Sequence, residues 1–257
     1  MNEASDIAPV SVRKLTMAYG DSIIQRDLTF DVPKGEILVV MGESGCGKST
    51  LLRHIIGLNQ PAAGAIYRNG HDFWACKEAE RDKIMRTSGI LFQAGALWSS
   101  MTLSENIALP LVQFTDNPPS VIADICEYKL ALVGLAGCGA LYPSEISGGM
   151  RKRAGLARAI ALDPDVLFFD EPSAGLDPLS ARRLDELILE LRDSLGATIV
   201  VITHELASIF AIASDSIFLD AETRTMIAHG PPKELRENCP EQKVRNFLNR
   251  ASTSSIP

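Results

Sequence analysis

The sequence is short of positive charge: 25 lysines and arginines stand against 32 aspartates and glutamates, a formal net charge of −7 over 257 residues. Unaided nucleic-acid binding needs a basic face to neutralise many phosphates, so that class is disfavoured. A single nucleotide needs only a local anion site, which the charge balance leaves open. Cysteines number five, at positions 46, 76, 126, 138 and 239, and none forms a Cys-x-x-Cys pair. That odd, irregular set argues against a disulfide framework or a structural zinc site and suits a reducing compartment. Long apolar runs are missing as well. The longest nearly uncharged stretches, Leu130 to Tyr142 and Leu206 to Ala213, fall short of the roughly 18 residues that cross a bilayer. The opening MNEASDIAPV has no basic start leading into an apolar run, so no signal peptide is expected. These absences predict a soluble chain that reaches a membrane only through a partner or a surface.

What is present is an apolar content of 46%, ordinary for a packed domain, in a chain long enough for one to two domains. Three short, almost wholly apolar runs stand out: Ile37 to Met41, Val166 to Phe169 and Thr198 to Ile202. They are too short for helices and do not alternate, so they predict strands buried on both faces of a parallel sheet. Each ends abruptly in polar residues: Gly42, then Asp170 and Glu171, then Thr203 and His204. Ligands of open α/β sheets bind beyond the carboxyl ends of the strands, so all three ends point at one site. Leu184, Leu187, Ile188, Leu191 and Leu195 recur at helical spacing and predict a covering helix. Val12 to Leu15 and Leu28 to Val32 alternate around a Pro33-Lys34-Gly35 turn, as a half-exposed antiparallel edge would. From about Ala94 to Ile146 there is no buried-strand run, which predicts an inserted helical subdomain. A last helix is expected over Gln242 to Arg250, followed by a frayed tail.

The stretch Gly42-Glu43-Ser44-Gly45-Cys46-Gly47-Lys48-Ser49, followed by Thr50, fits the spacing G-x-x-x-x-G-K-[ST] between a strand and a helix. Glycines let successive N–H groups wrap a phosphate, the helix start adds partial positive charge, Lys48 reaches the outer phosphates and Ser49 offers an oxygen to Mg²⁺. By composition the match arises by chance in about one chain of this length in a hundred; the plain alternative is a glycine turn. Asp170 closing a buried strand is costly unless it holds a cation or a hydrogen bond, and a Mg²⁺ shared with Ser49 supplies the cation. Glu171 can polarise an attacking water, which favours hydrolysis over transfer; the alternative is that both acids cap the turn at Pro172. His204 can bond a terminal phosphate, although a lone strand-end histidine is more often structural. Gln93 can reach Mg²⁺ or the water, but a glutamine after a strand means little by itself. Ser147-Gly148-Gly149 opens a second helix with an anion-binding start. One chain rarely needs two, so this start is explained if it closes over a nucleotide held by another copy in a twofold pair. Tyr19 can stack on adenine, or simply pack. Cys46 lies inside the loop, either as a thiol whose alkylation would block the nucleotide or as an inert small residue.

Assembled in this order, the residues resemble the nucleotide-binding subunits of ATP-binding-cassette transporters over about residues 10–235. The resemblance implies that Tyr19 stacks on adenine, that Gly42 to Thr50 is the Walker A loop and that Gln93 is the Q-loop glutamine. It likewise implies that Ser147 to Met150 is the signature, Asp170 the Walker B aspartate, Glu171 the catalytic carboxylate, Ser173 to Asp177 the D-loop and His204 the switch histidine. The implied fold is α/β, a P-loop NTPase core with a mainly parallel sheet, an antiparallel β edge and a helical subdomain inserted at about 94–158. Residues 236–257 would add a C-terminal helix and tail. ATP and Mg²⁺ are the implied ligands, and a homodimer beneath an integral membrane permease pair is the implied assembly.

The family's signature usually reads Leu-Ser-Gly-Gly-Gln, whereas this chain has Ile146-Ser147-Gly148-Gly149-Met150. With Phe92 to Thr102, Glu105-Asn106 and Leu109-Pro110, that methionine is similar to the ATPases of mammalian-cell-entry (MCE) type lipid transporters, including the system that maintains outer-membrane lipid asymmetry. The likeness implies a phospholipid cargo, a periplasmic lipid-binding MCE protein, a small regulatory subunit, no nucleic acid and a peripheral place on the cytoplasmic face of the inner membrane. The alternative, a soluble cassette clamp of DNA repair or translation, usually needs coiled-coil insertions or a second cassette, for which 257 residues leave no room.

Overall fold

A computed structural model describes residues 7–253, with side chains as far as residue 249. Strands β1 (Val10–Tyr19), β2 (Ser22–Val32), β4 (Ala63–Arg68) and β5 (His71–Asp72) make an antiparallel sheet in the order β2-β1-β4-β5. The second sheet has the order β10-β9-β3-β8-β7-β6, built from β3 (Ile37–Gly42), β6 (Ser88–Leu91), β7 (Val166–Asp170), β8 (Thr198–Ile202), β9 (Asp215–Asp220) and β10 (Thr225–His229). Only β10 runs antiparallel to its neighbour in that sheet.

The three apolar runs are its central strands, and both of their faces are covered, which is why they do not alternate. Leu38, Val40, Phe168, Val200 and Ile202 face helix α1 (Lys48–Ile55) and the antiparallel sheet. Val39, Met41, Phe169, Ile199 and Val201 face the remaining helices. The antiparallel strands expected at an edge thus form a sheet of their own, stacked over the core with α1 between. Strand β9 went unread because Ser216 interrupts its apolar run, although all of Ser216 to Asp220 is buried. The chain spends its polarity there on Ser216 Oγ, which donates to Gly230 O at 2.6 Å.

Helices α3 (Leu103–Phe114), α4 (Pro119–Leu132) and α5 (Gly148–Ala159) form the helical region expected in the middle of the chain. Thr102 and Glu105 close a reciprocal capping box at the start of α3. Behind it Asn106, fully buried, accepts from Trp98 N and donates to the carbonyls of Trp98, Met101 and Thr102, tying down the segment after Gln93. The region meets the sheet through α5, so closely that a Cβ at Gly89 would lie 2.2 Å from Ala159 O and 2.7 Å from Leu167 Cδ2. Helix α2 (Glu78–Arg86) precedes β6, and α6 (Pro178–Leu195) is the covering helix expected from its leucines. The chain ends with α7 (Leu206–Ile212), α8 (Pro232–Asn238) and α9 (Gln242–Thr253). Val244, Phe247 and Leu248 of α9 are buried in the main core, with Phe247 edge-on to Phe218 at 5.2 Å. The tail expected beyond residue 253 lies outside the described residues.

One buried carboxyl gives the fold a pH dependence. Asp185 of α6 accepts from Ser208 Oγ at 2.9 Å, and Ser208 Oγ lies 3.2 Å from Ser173 Oγ. The other oxygen of Asp185 has no partner, and burial pushes the carboxyl from 3.8 up to about 6. A folded pKa above the unfolded one means that the unfolded chain loses its proton first, so stability falls as pH rises from about 4 to 6. Asp185→Asn is expected to gain on the order of 2–3 kcal/mol at pH 7 and nothing at pH 3; denaturant midpoints at the two pH values check this, and equal shifts at both would contradict it. Gly89→Ala is expected to lower stability by about 1–3 kcal/mol through overpacking, read as a lower urea midpoint.

Candidate active site

The phosphate loop leaves β3 at Gly42, whose φ of +148° suits glycine. A Cβ there would stand 2.4 Å from Leu219 O, so the loop can pass this point only without a side chain. The loop is then pinned from two directions by Gln25, a fully buried residue of β2 whose Nε2 donates to Cys46 O at 2.7 Å and to Asp220 O at 2.8 Å. Gly47 is the N-cap of α1, at φ 99°, and no side chain caps that end. The free N–H groups of an uncapped helix start are a standing anion site. Lys48 is buried and its ammonium folds back to donate to Gly42 O at 2.9 Å and Glu43 O at 3.0 Å, across the mouth of the loop.

Opposite the loop, Ser49 Oγ donates to Asp170 Oδ1 at 3.2 Å. Burial raises the Asp170 carboxyl above its ordinary range, with the Ser49 bond opposing it. A half-buried carboxylate held against a hydroxyl is the hard oxygen set that Mg²⁺ prefers. Next to it Glu171 has φ +49°, a left-handed conformation that costs a non-glycine residue of order 1 kcal/mol or more. Its N–H donates to Ile202 O at 2.8 Å and its Oε1 lies 2.7 Å from His204 Nδ1. Its Oε2 is buried with no partner. The strain and the orphaned oxygen both suit a group kept for a bound water or phosphate.

A cavity of about 810 Å³ collects Gly42, Glu43, Ser44, Gly45, Gly47, Lys48, Ser49, Thr50, Gln93, Glu171 and His204. The structure therefore brings together residues drawn from four separated parts of the chain. Cys46 contributes only backbone: its side chain is 1% exposed, packed in the apolar layer around α1, and burial pushes the thiol up. Of the two readings of Cys46, this burial favours the inert one. Tyr19 stands at the end of β1, half exposed, its hydroxyl accepting from Asn59 Nδ2 at 3.3 Å and lowered by hydrogen bonding to Arg53 of α1. It lies outside the cavity lining, beside α1.

Ser147, Gly148 and Gly149 are not brought to this cavity. Ser147 caps α5, its Oγ accepting from Met150 N–H at 3.2 Å. Gly148 lines a different cavity of about 550 Å³, with Gln93, Arg151, Lys152 and Ala174. Within one copy, then, the second helix start faces away from the loop and Gln93 alone borders both spaces.

The ABC transporter family profile matches residues 25–174. Among curated relatives, the probable ribonucleotide transport ATP-binding protein mkl of Mycobacterium leprae is 42% identical over 240 residues, covering 93% of this chain and 68% of that protein. The chain belongs to the ABC transporter ATPases. The intermembrane phospholipid transport system ATP-binding protein MlaF of Escherichia coli is 38% identical over 248 residues, covering 96% of this chain and 91% of MlaF. The cassette MJ0796, solved as a dimer in a post-hydrolysis state bound to ADP and Pi, superposes with a TM-score of 0.78 at 26% identity, covering 86% of this chain and 98% of that one. As a family member the chain is an ATP-binding, ATP-hydrolysing subunit. Among the described residues no helix is long and apolar enough to cross a membrane.

Several residues in or behind this cavity were invisible in the sequence. Lys152, mostly buried, donates to Glu171 O at 3.1 Å and Ala174 O at 2.7 Å, so α5 holds the backbone on which Glu171 stands. Phe247 of α9 and Ile24 of β2 line the cavity wall. Lys243, one helical turn before Phe247, lies 2.6 Å from Asp220, 3.1 Å from Glu222 and 3.5 Å from Glu43. It is raised by bonding to Asp220, whose own carboxyl is held down at about 2. In the sequence Lys152 sits in a basic triplet, Arg151-Lys152-Arg153, which reads as a solvated or phosphate-steering face rather than a nucleic-acid patch. Lys152→Met keeps the stem and removes the donors. It is expected to cost about 2 kcal/mol of stability and to slow ATP turnover while nucleotide affinity stays within twofold; unchanged turnover would leave Lys152 a packing residue.

Proposed function

We propose that this chain works as a homodimer on the cytoplasmic face of the inner membrane, powering a permease pair that moves phospholipid across the cell envelope. The observation that carries the reading is the split site: Lys48, Ser49, Glu171 and His204 line one cavity while Gly148, at the start of α5, lines another, and Gln93 borders both. The dimer solved for MJ0796 and the twofold logic of self-complementary pairing support closure of one copy's Ser147 loop over the other's nucleotide.

In that closed pair the N–H groups of the loop and Lys48 hold the phosphates. Glu171 takes a proton from the attacking water and His204 orients Glu171 through the 2.7 Å contact. The partner's Ser147 and its helix start add positive potential where charge develops. Ser49, Asp170 and Gln93 would hold Mg²⁺, which supplies charge neutralisation on the phosphoryl oxygens when bound. Tyr19, half exposed beside α1, would stack on the base. The boundaries follow the same reading: a cassette over residues 10–235 with the helical subdomain at about 94–158, and a C-terminal unit over 236–257.

Phospholipid cargo is favoured over the ribonucleotide named for mkl because the chain covers 91% of MlaF but 68% of mkl. The permease would seat in the groove of about 680 Å³ walled by Met85, Arg86, Pro110, Phe114 and Arg158, where Arg86 stacks on Phe114 at 4.7 Å. An MCE protein and a small regulatory subunit complete the assembly.

Glu171→Gln is expected to lower ATP turnover by about 10²–10⁴-fold, the worth of a general base, while ATP still binds; unchanged turnover refutes the assignment. The split site has its own test. Lys48→Ala and Ser147→Arg chains should each be inactive alone, and mixing them should restore turnover, because each mixed dimer rebuilds one complete site. No recovery in demonstrably mixed dimers would sink the shared pocket. Transfer of fluorescent phospholipid in vesicles carrying the purified complex checks the cargo.

A further inference from the structure

Away from the nucleotide, the described residues contain one place where three ligating side chains of different chemistry converge. His71 of β5, Cys76 of the following turn and Glu80 of the first turn of α2 place Nδ1, Sγ and a carboxylate oxygen all within 4.8 Å of one another. His71 Nδ1 and Glu80 Oε1 are already 3.4 Å apart. Tetrahedral zinc, with bonds of about 2.0 Å to nitrogen and oxygen and 2.3 Å to sulfur, sets its ligands about 3.3–3.6 Å from each other. The set therefore needs only side-chain rotation to close, and the side chains of His71 and Glu80 are 60% and 48% exposed and free to make it.

The backbone that brings them together is fixed beforehand. Asp72 Oδ1 accepts from Trp74 N at 3.1 Å and from Ala75 N at 3.2 Å, and Cys76 N–H donates to Asp72 O at 3.1 Å. The turn is thereby folded tightly enough to carry the thiol back toward the strand. The start of the helix beyond it is held by Arg81, whose guanidinium lies 5.5 Å from the centroid of the Trp74 ring in the turn. Helix α2 is nine residues long, buries only Ile84, and its N-cap Lys77 makes no side-chain cap bond. So short a helix is not stable by itself in water. A clip between β5 and its first turn would add a second anchor.

We propose that His71, Cys76 and Glu80 form a binding site for a zinc-class divalent ion, with water in the fourth position. A thiolate excludes Mg²⁺ and Ca²⁺, and an imidazole with a carboxylate suits a borderline metal better than Cu(I). The cysteine spacing gave no hint of it, since the donors come from a strand, a turn and a helix and only one is sulfur. The other end of α2 carries Asp82, Met85 and Arg86 into the groove of about 680 Å³. Metal occupancy therefore stiffens one wall of that groove, a regulatory consequence that rests on the permease docking there.

The test uses the full-length, reduced protein with Co²⁺ as probe and Zn²⁺ in calorimetry. One ion per chain is expected, with a thiolate-to-cobalt charge-transfer band and tetrahedral visible bands. Cys76→Ser should abolish the charge-transfer band and weaken Zn²⁺ by about 100-fold or more, since even outer partners of a metal are worth 10–100-fold. Asp170→Asn should leave both unchanged. Hydrogen exchange across residues 78–86 should slow when Zn²⁺ is added to the parent and not to the variant. Absence of the band in excess Co²⁺, or binding that survives both Cys76→Ser and His71→Ala in folded protein, overturns the site. A protein that binds the metal normally but never binds permease refutes the groove reading and leaves the metal site standing.

Discussion

The register of three parallel strands is the constraint on which the rest of the molecule depends. Val40 of β3 pairs with Ile202 of β8, and Ile202 pairs in turn with Asp170 of β7. Gly42, Glu171 and His204 therefore leave the sheet at one level, and the phosphate loop, the acid and the histidine meet without any of them being adjacent in sequence. Because side chains alternate between faces, a slip of one residue in any of these pairings would turn a whole apolar set toward the wrong layer. The core that fixes the register is thus also what aims the chemistry.

Around that frame the polar residues act as spacers rather than reactants. Gln25 sets the height of the phosphate loop by bonding two carbonyls, one in the loop and one at the end of β9. Lys152 does the same for the segment after Glu171, and Asn106 for the segment after Gln93. Each satisfies several backbone groups that would otherwise be buried unpaired, which is costly, and each fixes a short irregular stretch relative to a regular element. Irregular segments carry the reacting groups because a strand or helix interior leaves no backbone N–H free for a ligand.

The same economy bears on the proposed pairing of two copies. The uncapped α1 start faces the loop's own cavity, and Gly148 at the α5 start lines a separate one. Lys152 ties α5 to the backbone beside Glu171. In the proposed pair, a helix start drawn over a partner's nucleotide would pull on the backbone beside Glu171, and through α5 on the groove between α2, α3 and α5. Within one copy, the Lys152 hydrogen bonds and α5 itself join the backbone beside Glu171 to the wall of that groove.

The sequence by itself determined the elements whose cause is local: the phosphate loop, set by glycine spacing; the buried strands, set by uninterrupted apolar runs; the covering helix α6, set by its leucine period; and the polar residues that end each strand. It also carried the ordered set of motifs on which the family resemblance rests. Only the tertiary structure decided which side chains stand behind those motifs. Gln25 bonds a carbonyl 195 positions away, Lys152 one 19 away, and Phe247 reaches the nucleotide cavity from the far end of the chain. That the antiparallel strands form a sheet of their own, the inward turn of Cys46 and the meeting of His71, Cys76 and Glu80 likewise leave no periodic trace. The reason is physical: a repeat in sequence records which face of an element is apolar, whereas a contact between distant elements depends on how their faces are stacked, and that is settled only when the whole core closes.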